Sequence, residues 1–301
     1  MLTKGSAIHW KYFLTRKERA RFIRCMSSKE TIAYIIQHRC SVSRFGDGEF
    51  QMISNGLKGG SAEDFKVDSF QPFNSRLSEL LYDVITRHSQ DSGFLVCIPY
   101  PLIDSSVYKG YDRIFFEREW LGRQEFLRQT IGYLPTIGDT TFTRFYLHRT
   151  DINNYPQYIA HLKKIWDKQD IVFVEGMYSR LGMGNDLFDN ANSIQRILCP
   201  ARDAFAKYNE IFDFLKTQDK KKLFLLALGH TATRLAYDLY VLGYWVIDVG
   251  HIDIEYEWYK INAKEKVPIP HKYVNETKSG RISNDSLNDE LYRNQIIKTI
   301  V

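Results

Sequence analysis

The fold class is indicated most clearly by residues 222–250, KLFLLALGHTATRLAYDLYVLGYWVIDVG. Its two ends, 222–229 and 244–250, are near-continuous apolar runs of strand length, which is typical of parallel strands covered on both faces. Between them, Leu235 and Leu239 keep helical spacing, with threonines near the start of the segment and a glycine after its end. The stretch therefore predicts a strand, a helix and a second strand in one α/β unit.

The rest of the chain repeats this pattern. Strand-length apolar runs occur at 41–45, 93–100 and 170–176, and a helical segment with a serine cap, 29–39, precedes the first of them. The middle of the chain, 105–165, is rich in aromatic and charged residues and is predicted to be mostly helical. Because no repeat, low-complexity tract or break in composition divides the sequence, we predict a single α/β domain with a mostly parallel sheet flanked by helices.

The composition argues against several classes of protein. The 41 basic and 36 acidic residues are mixed along the chain, and the net charge of +5 suits an anionic ligand without indicating nucleic acid. The four cysteines lie far apart without a CxxC pair, so neither a zinc knuckle nor a disulfide framework is expected, and a reduced, cytoplasmic setting fits best. The GxSxG and HExxH motifs of common hydrolases and zinc proteases do not occur.

Both ends of the chain differ from the central part, 28–277. Residues 1–27 alternate basic and apolar side chains without a continuous apolar core, which predicts a basic helical extension rather than a signal peptide or a spanning helix. Such a helix is compatible with peripheral contact at the inner face of a membrane. The tail, 278–301, becomes polar and is expected to be a loosely held extension.

An unusual acidic segment, GDGE, follows the strand at 41–45. In an extended chain, residues two apart point to the same side, so Asp47 and Glu49 could present their carboxylates jointly to one hard cation. Gly46 and Gly48 would allow the tight backbone that this requires. An ordinary turn explains the four residues equally well, so the segment alone does not establish a metal site.

A second acidic cluster, HIDIEYEW, follows the last predicted strand. His251, Asp253, Glu255 and Glu257 alternate with apolar side chains. In a strand these four polar groups would share one face, whereas in a helix His251 would pair with Glu255 and Asp253 with Glu257. The alternative interpretation is a solvated amphipathic element. Either geometry concentrates negative charge where ligands bind in α/β sheets, beyond the carboxyl ends of the strands.

Two more clusters at strand exits suit phosphate or sugar. GHTATR places Gly229 and Thr231 where a strand gives way to a helix, and backbone amides there favour an anion, although a plain helix cap is an equally good explanation. The glycine-broken segment EGMYSRLGMGNDLF contains Arg180, Asn185 and Asp186, a composition suited to a hydroxyl-rich or phosphate ligand.

Taken in order, SRFGDGE, VFVEGMYSRLGMGNDLF, GHTATRLAYDLYVLGYWVIDVGHIDIEYEW and PHKYVNE resemble the bacterial GT-D-fold glycosyltransferases, once catalogued as domain of unknown function 1792. The resemblance extends over about residues 28–277. It implies a Rossmann-like α/β enzyme that uses a DxE motif and manganese, or magnesium, with a UDP-sugar donor in building bacterial surface glycans. At the GPTA motif of that family, this chain has His230 in place of the proline.

The resemblance also implies roles for individual residues. Asp47 and Glu49 correspond to the metal-binding DxE motif. His251 and Glu257 correspond to the histidine and the distal glutamate of the last motif. The chemistry of the segment leaves Glu257, Asp253 and Glu255 as candidates for the base, with Glu257 as either base or metal ligand and His251 as a partner of metal or phosphate. The residues expected to hold the donor are Arg44, Arg180, Asn185, Asp186, Arg196, Gly229 and Thr231.

The expected reaction is transfer of a hexose, from UDP-glucose or UDP-galactose, to a glycan, glycoprotein or lipid-linked acceptor. Two alternatives remain open at this level. One is a metal-dependent phosphohydrolase that uses the same carboxylates to activate water. The other is a non-catalytic sugar-nucleotide-binding subunit of a glycan-assembly complex, which would bind the donor without turnover.

Overall fold

The structure of the protein is a computed structural model that describes residues 4–22, 24–61, 70–87, 92–132, 136–281 and 289–301. Its described part is built on one sheet of eight strands in the order β3-β2-β1-β7-β6-β4-β5-β8, and every pairing in the sheet is parallel. The strands are β1 Ser41–Arg44, β2 Phe94–Ile98, β3 Gly138–Asp139, β4 Asp170–Gly176, β5 Ser193–Cys199, β6 Leu223–Ala227, β7 Trp245–Asp248 and β8 Ile296–Thr299.

Helices cover the sheet and connect its strands. The α-helices are α1 Lys4–Leu14, α2 Arg16–Phe22, α3 Ser28–His38, α4 Asp47–Leu57, α5 Ser75–Arg87, α6 Gly110–Ile131, α7 Tyr155–Lys163, α8 Tyr208–Leu215, α9 His230–Val241, α10 Ile252–Lys260 and α11 Glu290–Gln295. Short 3₁₀ helices lie at Tyr100–Leu102, Ser105–Val107, Thr140–Thr143, Ala204–Lys207 and Ser279–Arg281. Among the described helices, none is long and apolar enough to cross a membrane.

The core lies on both faces of the sheet. Along β4, Val172 and Val174 belong to one apolar cluster, while Ile171 and Phe173 belong to a second cluster. The first cluster is completed by side chains of α4, α5, α6, α8 and α9, and the second by α3, α7 and α10. Because both faces are covered, the central strands are apolar at nearly every position, as the sequence predicted.

The prediction for residues 222–250 is confirmed. β6 pairs with β7 in parallel, with Leu223 opposite Trp245 and Leu226 opposite Asp248, and α9 forms the crossover between them. The predicted strands at 41–45, 93–100 and 170–176 are also present, as β1, β2 and β4. In the middle region α6 and α7 form as expected, although the chain between them also contributes the short edge strand β3.

The expectation of a loosely held tail is wrong for its last residues. β8 adds to the edge of the sheet beside β5, and Ile300 is only 1% exposed. The apolar pattern of IIKTIV, not the polar segment before it, explains this pairing. The part of the tail at 282–288 lies outside the described residues.

The basic extension at the start of the chain is helical, as predicted. Its helices α1 and α2 pack on the domain, because Tyr12 and Arg19 are 4% and 5% exposed and Tyr12 donates a hydrogen bond to the carbonyl of Leu102 at 3.1 Å. The extension is therefore part of the folded body.

The strand order determines where a ligand can bind. β1, β7 and β6 are consecutive neighbours in the sheet, so the segments that follow them meet at one edge. Those segments are GDGE after β1, GHIDIE after β7 and GHTATR after β6. All three of these predicted clusters therefore lie together at the carboxyl edge of the sheet, the position at which open α/β sheets bind ligands.

Candidate active site

A cavity of about 680 Å³ opens above the carboxyl ends of β1, β7 and β6. We call it the cleft. Its polar walls are formed by Asp47 and Glu49 on one side, His230 beside them, Arg44 and Asp248 at the base, and Arg144, His251, Glu255 and Glu276 on the other side. Aromatic side chains of α6, among them Tyr111 and Phe115, line its mouth.

Asp47 and Glu49 lie in the first turn of α4, not in an extended segment. The prediction that their spacing directs them to one side is therefore wrong, because residues two apart in a helix are about 200° apart around its axis. Both nevertheless line the cleft. Glu49 Oε2 accepts a hydrogen bond from the backbone N–H of Gly46 at 2.8 Å, which satisfies a free donor at the helix start. Asp47 is exposed, and no ion pair to it is found among the described residues.

Arg44 and Asp248 form the base of the cleft. Arg44 Nε lies 3.4 Å from Asp248 Oδ1, and Arg44 Nη1 donates to the carbonyl of Thr140 at 3.3 Å. Gly250 has a φ of +48°, and a Cβ at this position would overlap the Arg44 guanidinium. Asp248 is 3% exposed. Burial raises its pKa from 3.8 to about 6, although Arg44 opposes the shift.

The opposite wall is a network of alternating charges. Glu276 lies between Arg144, with Nη2 to Oε1 at 2.6 Å, and His251, with Nδ1 to Oε1 at 2.8 Å. Burial would raise the pKa of Glu276, but the His251 ring when it is protonated, and the Arg144 guanidinium, outweigh burial and hold that pKa well below its usual range. Desolvation among the cleft walls lowers the pKa of His251, and Glu276 offsets this only in part. A neutral histidine held by an ionised carboxylate is the result.

Helix α10 settles the two geometries that the sequence left open for HIDIEYEW. It is a helix, so Asp253 and Glu257 share one side while Glu255 points to another. Glu255 Oε2 accepts from the backbone N–H of Tyr146 at 3.0 Å, and its Oε1 lies 3.7 Å from Arg144 Nη1.

Asp253 and Glu257 are bound by a buried cation. Lys272 Nζ, on a residue 3% exposed, lies 2.7 Å from Asp253 Oδ2 and 2.6 Å from Glu257 Oε1. Asn185 Nδ2 donates to the same two carboxylates at 2.8 and 2.7 Å. Asp253 lines the cleft, whereas Glu257 is not among the lining residues. Lys272 thus offsets one of the two negative charges and Asn185 adds hydrogen bonds to both acids, so Asn185 supports that cluster instead of facing the cleft.

The structure contradicts the expected placement of the two arginines. Arg196 donates to Glu175 at 2.6 Å and to the carbonyl of Leu181 at 2.8 Å, and it is 3% exposed. Arg180 is 4% exposed and donates to the carbonyl of His271 at 2.5 Å. Neither lines the cleft, because Arg196 is enclosed on strand β5 and Arg180 in the segment that follows β4.

The other predicted donor contacts divide in the same way. Gly229 lines the cleft with a φ of +56°, and a Cβ there would meet the Phe70 ring at 2.8 Å. Thr231 is fully buried and its hydroxyl donates to Gln71 Oε1 at 3.3 Å, so it stabilises the start of α9 from inside the fold and does not face the cleft. Asp186 lies away from the cleft lining and accepts hydrogen bonds from Tyr256 at 2.9 Å and Lys260 at 3.0 Å.

Sequence reasoning missed three residues of the cleft. Asp248 is an acid at the end of the buried strand β7, which is a usable signal, and Glu276 ends the PHKYVNE motif that carried part of the resemblance. Arg144 stands in the irregular segment after β3 and had no pattern to mark it.

The cleft residues fit a divalent cation shared with a ligand. Among the described residues, no three histidine, cysteine or acidic side chains converge as a complete metal site. Asp47 and Glu49 nevertheless supply hard carboxylate oxygens on a wall that has no lysine or arginine ion pair to either of them within the described part of the chain. Mg²⁺ and similar ions are commonly bound by one or two carboxylates together with substrate phosphates. The donor set therefore suits a cation that arrives with, or is completed by, a phosphate ligand.

The chain is similar to curated streptococcal proteins. It is 36% identical over 272 residues to glycosyltransferase GlyD of Streptococcus pneumoniae serotype 4, covering 90% of this chain and 32% of that protein. It is 32% identical over 285 residues to the probable glycosyl transferase Gly of Streptococcus gordonii, covering 93% of this chain and 39% of that protein. The chain thus spans about a third of the length of these relatives.

Solved structures show the same fold over the whole domain. A glycosyltransferase of the domain-of-unknown-function-1792 group from Streptococcus sanguinis superposes with a TM-score of 0.82 at 32% identity, over 93% of this chain and 100% of its own. A second structure, described as that conserved domain with a distinct glycosyltransferase fold, gives a TM-score of 0.85 at 33% identity, over 96% of this chain and 100% of its own. The profile of the glycosyltransferase GT-D fold family matches residues 42–277. The chain belongs to the GT-D-fold glycosyltransferase family.

Proposed function

We propose that the protein transfers a hexose from a UDP-sugar, UDP-glucose or UDP-galactose, to a hydroxyl group of a glycan, glycoprotein or lipid-linked acceptor, with Mn²⁺ or Mg²⁺ as cofactor. The observation that carries the proposal is the wall of Asp47 and Glu49. Two carboxylates without an arginine or lysine partner among the described residues line a cleft at the carboxyl edge of a parallel sheet. Carboxylates would repel a sugar nucleotide unless a cation lay between them.

The metal would be held by Asp47 and Glu49 together with oxygens of the donor diphosphate. When bound, such a cation neutralises the charge that builds up on the diphosphate as the glycosidic bond breaks. The residues of the chain prepare for this role. Glu49 is fixed by the N–H of Gly46, so one of its oxygens remains directed away from the helix start.

Two further features would hold the donor. Gly229 lines the cleft at the N-terminus of α9, a helix of 12 residues, where free backbone N–H groups and the helix dipole favour phosphate. Arg44 lines the base of the same cleft, with its Nε 3.4 Å from Asp248 Oδ1. The aromatic side chains at the mouth, Tyr111 and Phe115, are suited to contacts with the faces of sugars or bases.

His251 is our candidate for the group that accepts the proton of the acceptor hydroxyl, if the reaction inverts the anomeric carbon. Glu276 lies against Nδ1 and orients the ring, which leaves Nε2 as the second nitrogen. The lowered pKa keeps the ring neutral near pH 7, the form that a general base requires. Glu257 is held by Lys272 and Asn185, so a role as base or metal ligand would require those contacts to open.

The test is donor hydrolysis by the purified chain against UDP-, GDP-, dTDP- and CMP-sugars, with and without Mn²⁺, measured as released nucleotide. We expect UDP to be released from UDP-glucose or UDP-galactose, and only in the samples that contain Mn²⁺. UMP and a sugar 1-phosphate as the products, or inorganic phosphate released from them, would support the phosphohydrolase alternative. Donor binding without turnover over any acceptor would support a non-catalytic binding subunit.

A double variant with a matched control connects this activity to the acidic wall. Asp47→Asn with Glu49→Gln should abolish Mn²⁺-dependent release. Glu210→Gln with Asp213→Asn removes the same charge from the solvent side of helix α8, where the two acids pair with the surface lysines Lys207 and Lys216, and should leave release unchanged. An active Asp47→Asn, Glu49→Gln variant would overturn the metal-site proposal.

We further propose that α1 contacts an anionic membrane surface, where lipid-linked acceptors are found. Trp10, Phe13 and Leu14 are 59%, 46% and 64% exposed on this helix, and Arg16 lies over the Phe13 ring at 5.1 Å. Exposed aromatic and aliphatic side chains beside cations suit a lipid interface. Serine at the three apolar positions should remove binding to phosphatidylglycerol vesicles, and unchanged binding would contradict this. Point variants are preferable to deletion, because Tyr12 of the same helix is buried.

A further inference from the structure

His230 occupies an unusual position in the cleft. It is the first residue of α9, lines the cleft beside Asp47 and Glu49, and has a side chain that is 15% exposed. Its ring packs on the backbone of the DGE segment, because a Cβ at Gly48 would lie 2.7 Å from Nε2 and 2.9 Å from Cε1. A residue with any side chain at position 48 would displace the ring, so Gly48 allows His230 to approach the two acids.

Both ring nitrogens of His230 are buried and have no hydrogen-bond partner in the described structure. The nearest acidic oxygen is Glu49 Oε1, 3.8 Å from Nδ1, which is too long for a hydrogen bond. Burying a polar nitrogen without a partner is unfavourable, so such an atom needs an explanation. The position of the His230 ring beside the Glu49 carboxylate, in an open cleft, indicates that a bound species would occupy the gap between the two groups.

We propose that His230 is a nitrogen ligand of the divalent cation that Asp47 and Glu49 hold, an inference that rests on the proposed metal-dependent function. The spacing supports this assignment. Two metal–ligand bonds of about 2.1 Å each can span up to about 4.2 Å, so one cation can contact both atoms across the gap. The separation of 3.8 Å between Nδ1 and Oε1 lies within that span.

A nitrogen ligand changes which metal the site prefers. Carboxylate and phosphate oxygens alone suit Mg²⁺ and Mn²⁺ alike, whereas imidazole suits transition metals and has little affinity for Mg²⁺. His230 therefore makes the cleft selective for Mn²⁺ over Mg²⁺. The other histidine of the cleft, His251, has Glu276 Oε1 2.8 Å from its Nδ1, which leaves its Nε2 open, so an experiment has to distinguish the two rings.

The experiment measures Mn²⁺ in the full chain, alone and with UDP, by pulsed electron paramagnetic resonance, which detects ¹⁴N coupling from a directly bound imidazole. We expect the coupling in the wild-type protein and in His251→Ala, and its loss in His230→Ala. The matched histidine variant thus decides which ring binds. Coupling that persists in His230→Ala, or disappears in His251→Ala, would overturn the proposal.

Metal affinity gives a second readout. In His230→Ala the Mn²⁺ dissociation constant should rise at least about tenfold, while the Mg²⁺ affinity changes little. Mutating even a residue that only supports a metal ligand typically lowers metal affinity by about tenfold or more. Equal losses for both ions would make His230 an ion-pair partner of Glu49 instead. If His230→Ala fails to fold by circular dichroism, Gly48→Ala tests the same point, because its Cβ displaces the ring and should also remove the coupling.

These outcomes separate the two proposals. Tight Mn²⁺ binding without nitrogen coupling in the wild-type protein would refute the role of His230 and leave the metal-dependent function standing. Absence of Mn²⁺ binding both with and without UDP would refute both.

Discussion

The protein contains two pairs of carboxylates that look alike in the sequence and differ in the charge placed beside them. Asp253 and Glu257 on α10 are bound by Lys272 at 2.7 and 2.6 Å. Asp47 and Glu49 on α4 have no lysine or arginine ion pair in the part of the chain that the structure describes. A cation supplied by the chain itself thus completes the first pair, and the second pair is open to a cation from outside.

This difference separates structural acids from acids available for chemistry. A buried carboxylate is stable only when an opposite charge and hydrogen bonds compensate its loss of hydration, and the Lys272 ammonium contacts two carboxylates at once. The acidic wall formed by Asp47 and Glu49 stays in contact with the cleft, where solvent or a metal can match its charge. Four measurements test whether the two pairs of acids differ in this way.

The largest expected effect comes from removing the internal cation. Lys272→Met leaves Asp253 and Glu257 without their cation, and breaking a buried ion pair costs about 3–5 kcal/mol. Denaturant unfolding should show this loss. The same substitution combined with Asp253→Asn and Glu257→Gln should recover much of the stability, because no uncompensated charge remains. A loss below about 1 kcal/mol would show that Lys272 is not needed to neutralise the cluster.

The next largest effect is expected at the acidic wall, where a substitution should reduce activity and leave stability nearly unchanged. Asp47→Asn should lower Mn²⁺-dependent kcat by about 10²–10³-fold, the scale seen when one electrostatic contact to a transition state is lost. Its free energy of unfolding should change by less than about 1 kcal/mol, since only a favourable charge at a helix start is removed. Asp213→Asn on the solvent side of helix α8 serves as the control. Equal losses of activity and stability would mean that Asp47 has a structural role.

Asp248 is intermediate between the two pairs of acids, because the nearby Arg44 offsets only part of the cost of burying its charge. Its pKa is raised to about 6 in the folded protein, so the folded state holds the proton more tightly than the unfolded chain does. The resulting stability is present below pH 4 and is lost as the pH rises through about 6. Relative to the wild type, Asp248→Asn should therefore gain up to about 3 kcal/mol between those pH values, measured by unfolding in metal-free buffer. A flat difference would contradict the assignment.

The smallest expected effect concerns Glu257. Because Lys272 and Asn185 hold its carboxylate, Glu257→Gln should change Mn²⁺ affinity by no more than about twofold, as expected for separate sites. Calorimetric titration with Mn²⁺ in the presence of UDP checks this. A loss of tenfold or more would instead identify Glu257 as a metal ligand and would show that its contact with Lys272 opens.

Much of the fold follows from local patterns. The alternation of apolar strands with the helix at 230–241 can be recognised within a window of some 30 residues. The edge strand β8 was missed because its apolar residues follow a polar stretch and because an edge strand is half exposed, which weakens its pattern. The position of the cleft was predictable as well, since the acidic and glycine-rich clusters follow strands whose carboxyl ends meet.

Individual roles within the cleft were harder to predict. Arg196 and Arg180 appeared suitable for phosphate, but burial and contacts with Glu175 and the carbonyl of His271 enclose them. Arg144 had no signal in its own neighbourhood, although it lies 2.6 Å from Glu276. A charged residue is equally visible in the sequence whether it faces a ligand or an internal partner.

The α/β architecture and the edge of the sheet at which the polar clusters gather follow from the sequence, because periodicity and strand exits are encoded by neighbouring residues. Which acids contact an internal cation and which are open depends on the folded arrangement. Lys272 meets Asp253, Arg44 meets Asp248, and His230 packs on Gly48, each across segments that the chain brings together only on folding. Electrostatic roles depend on such distances and on burial, and no local pattern specifies either.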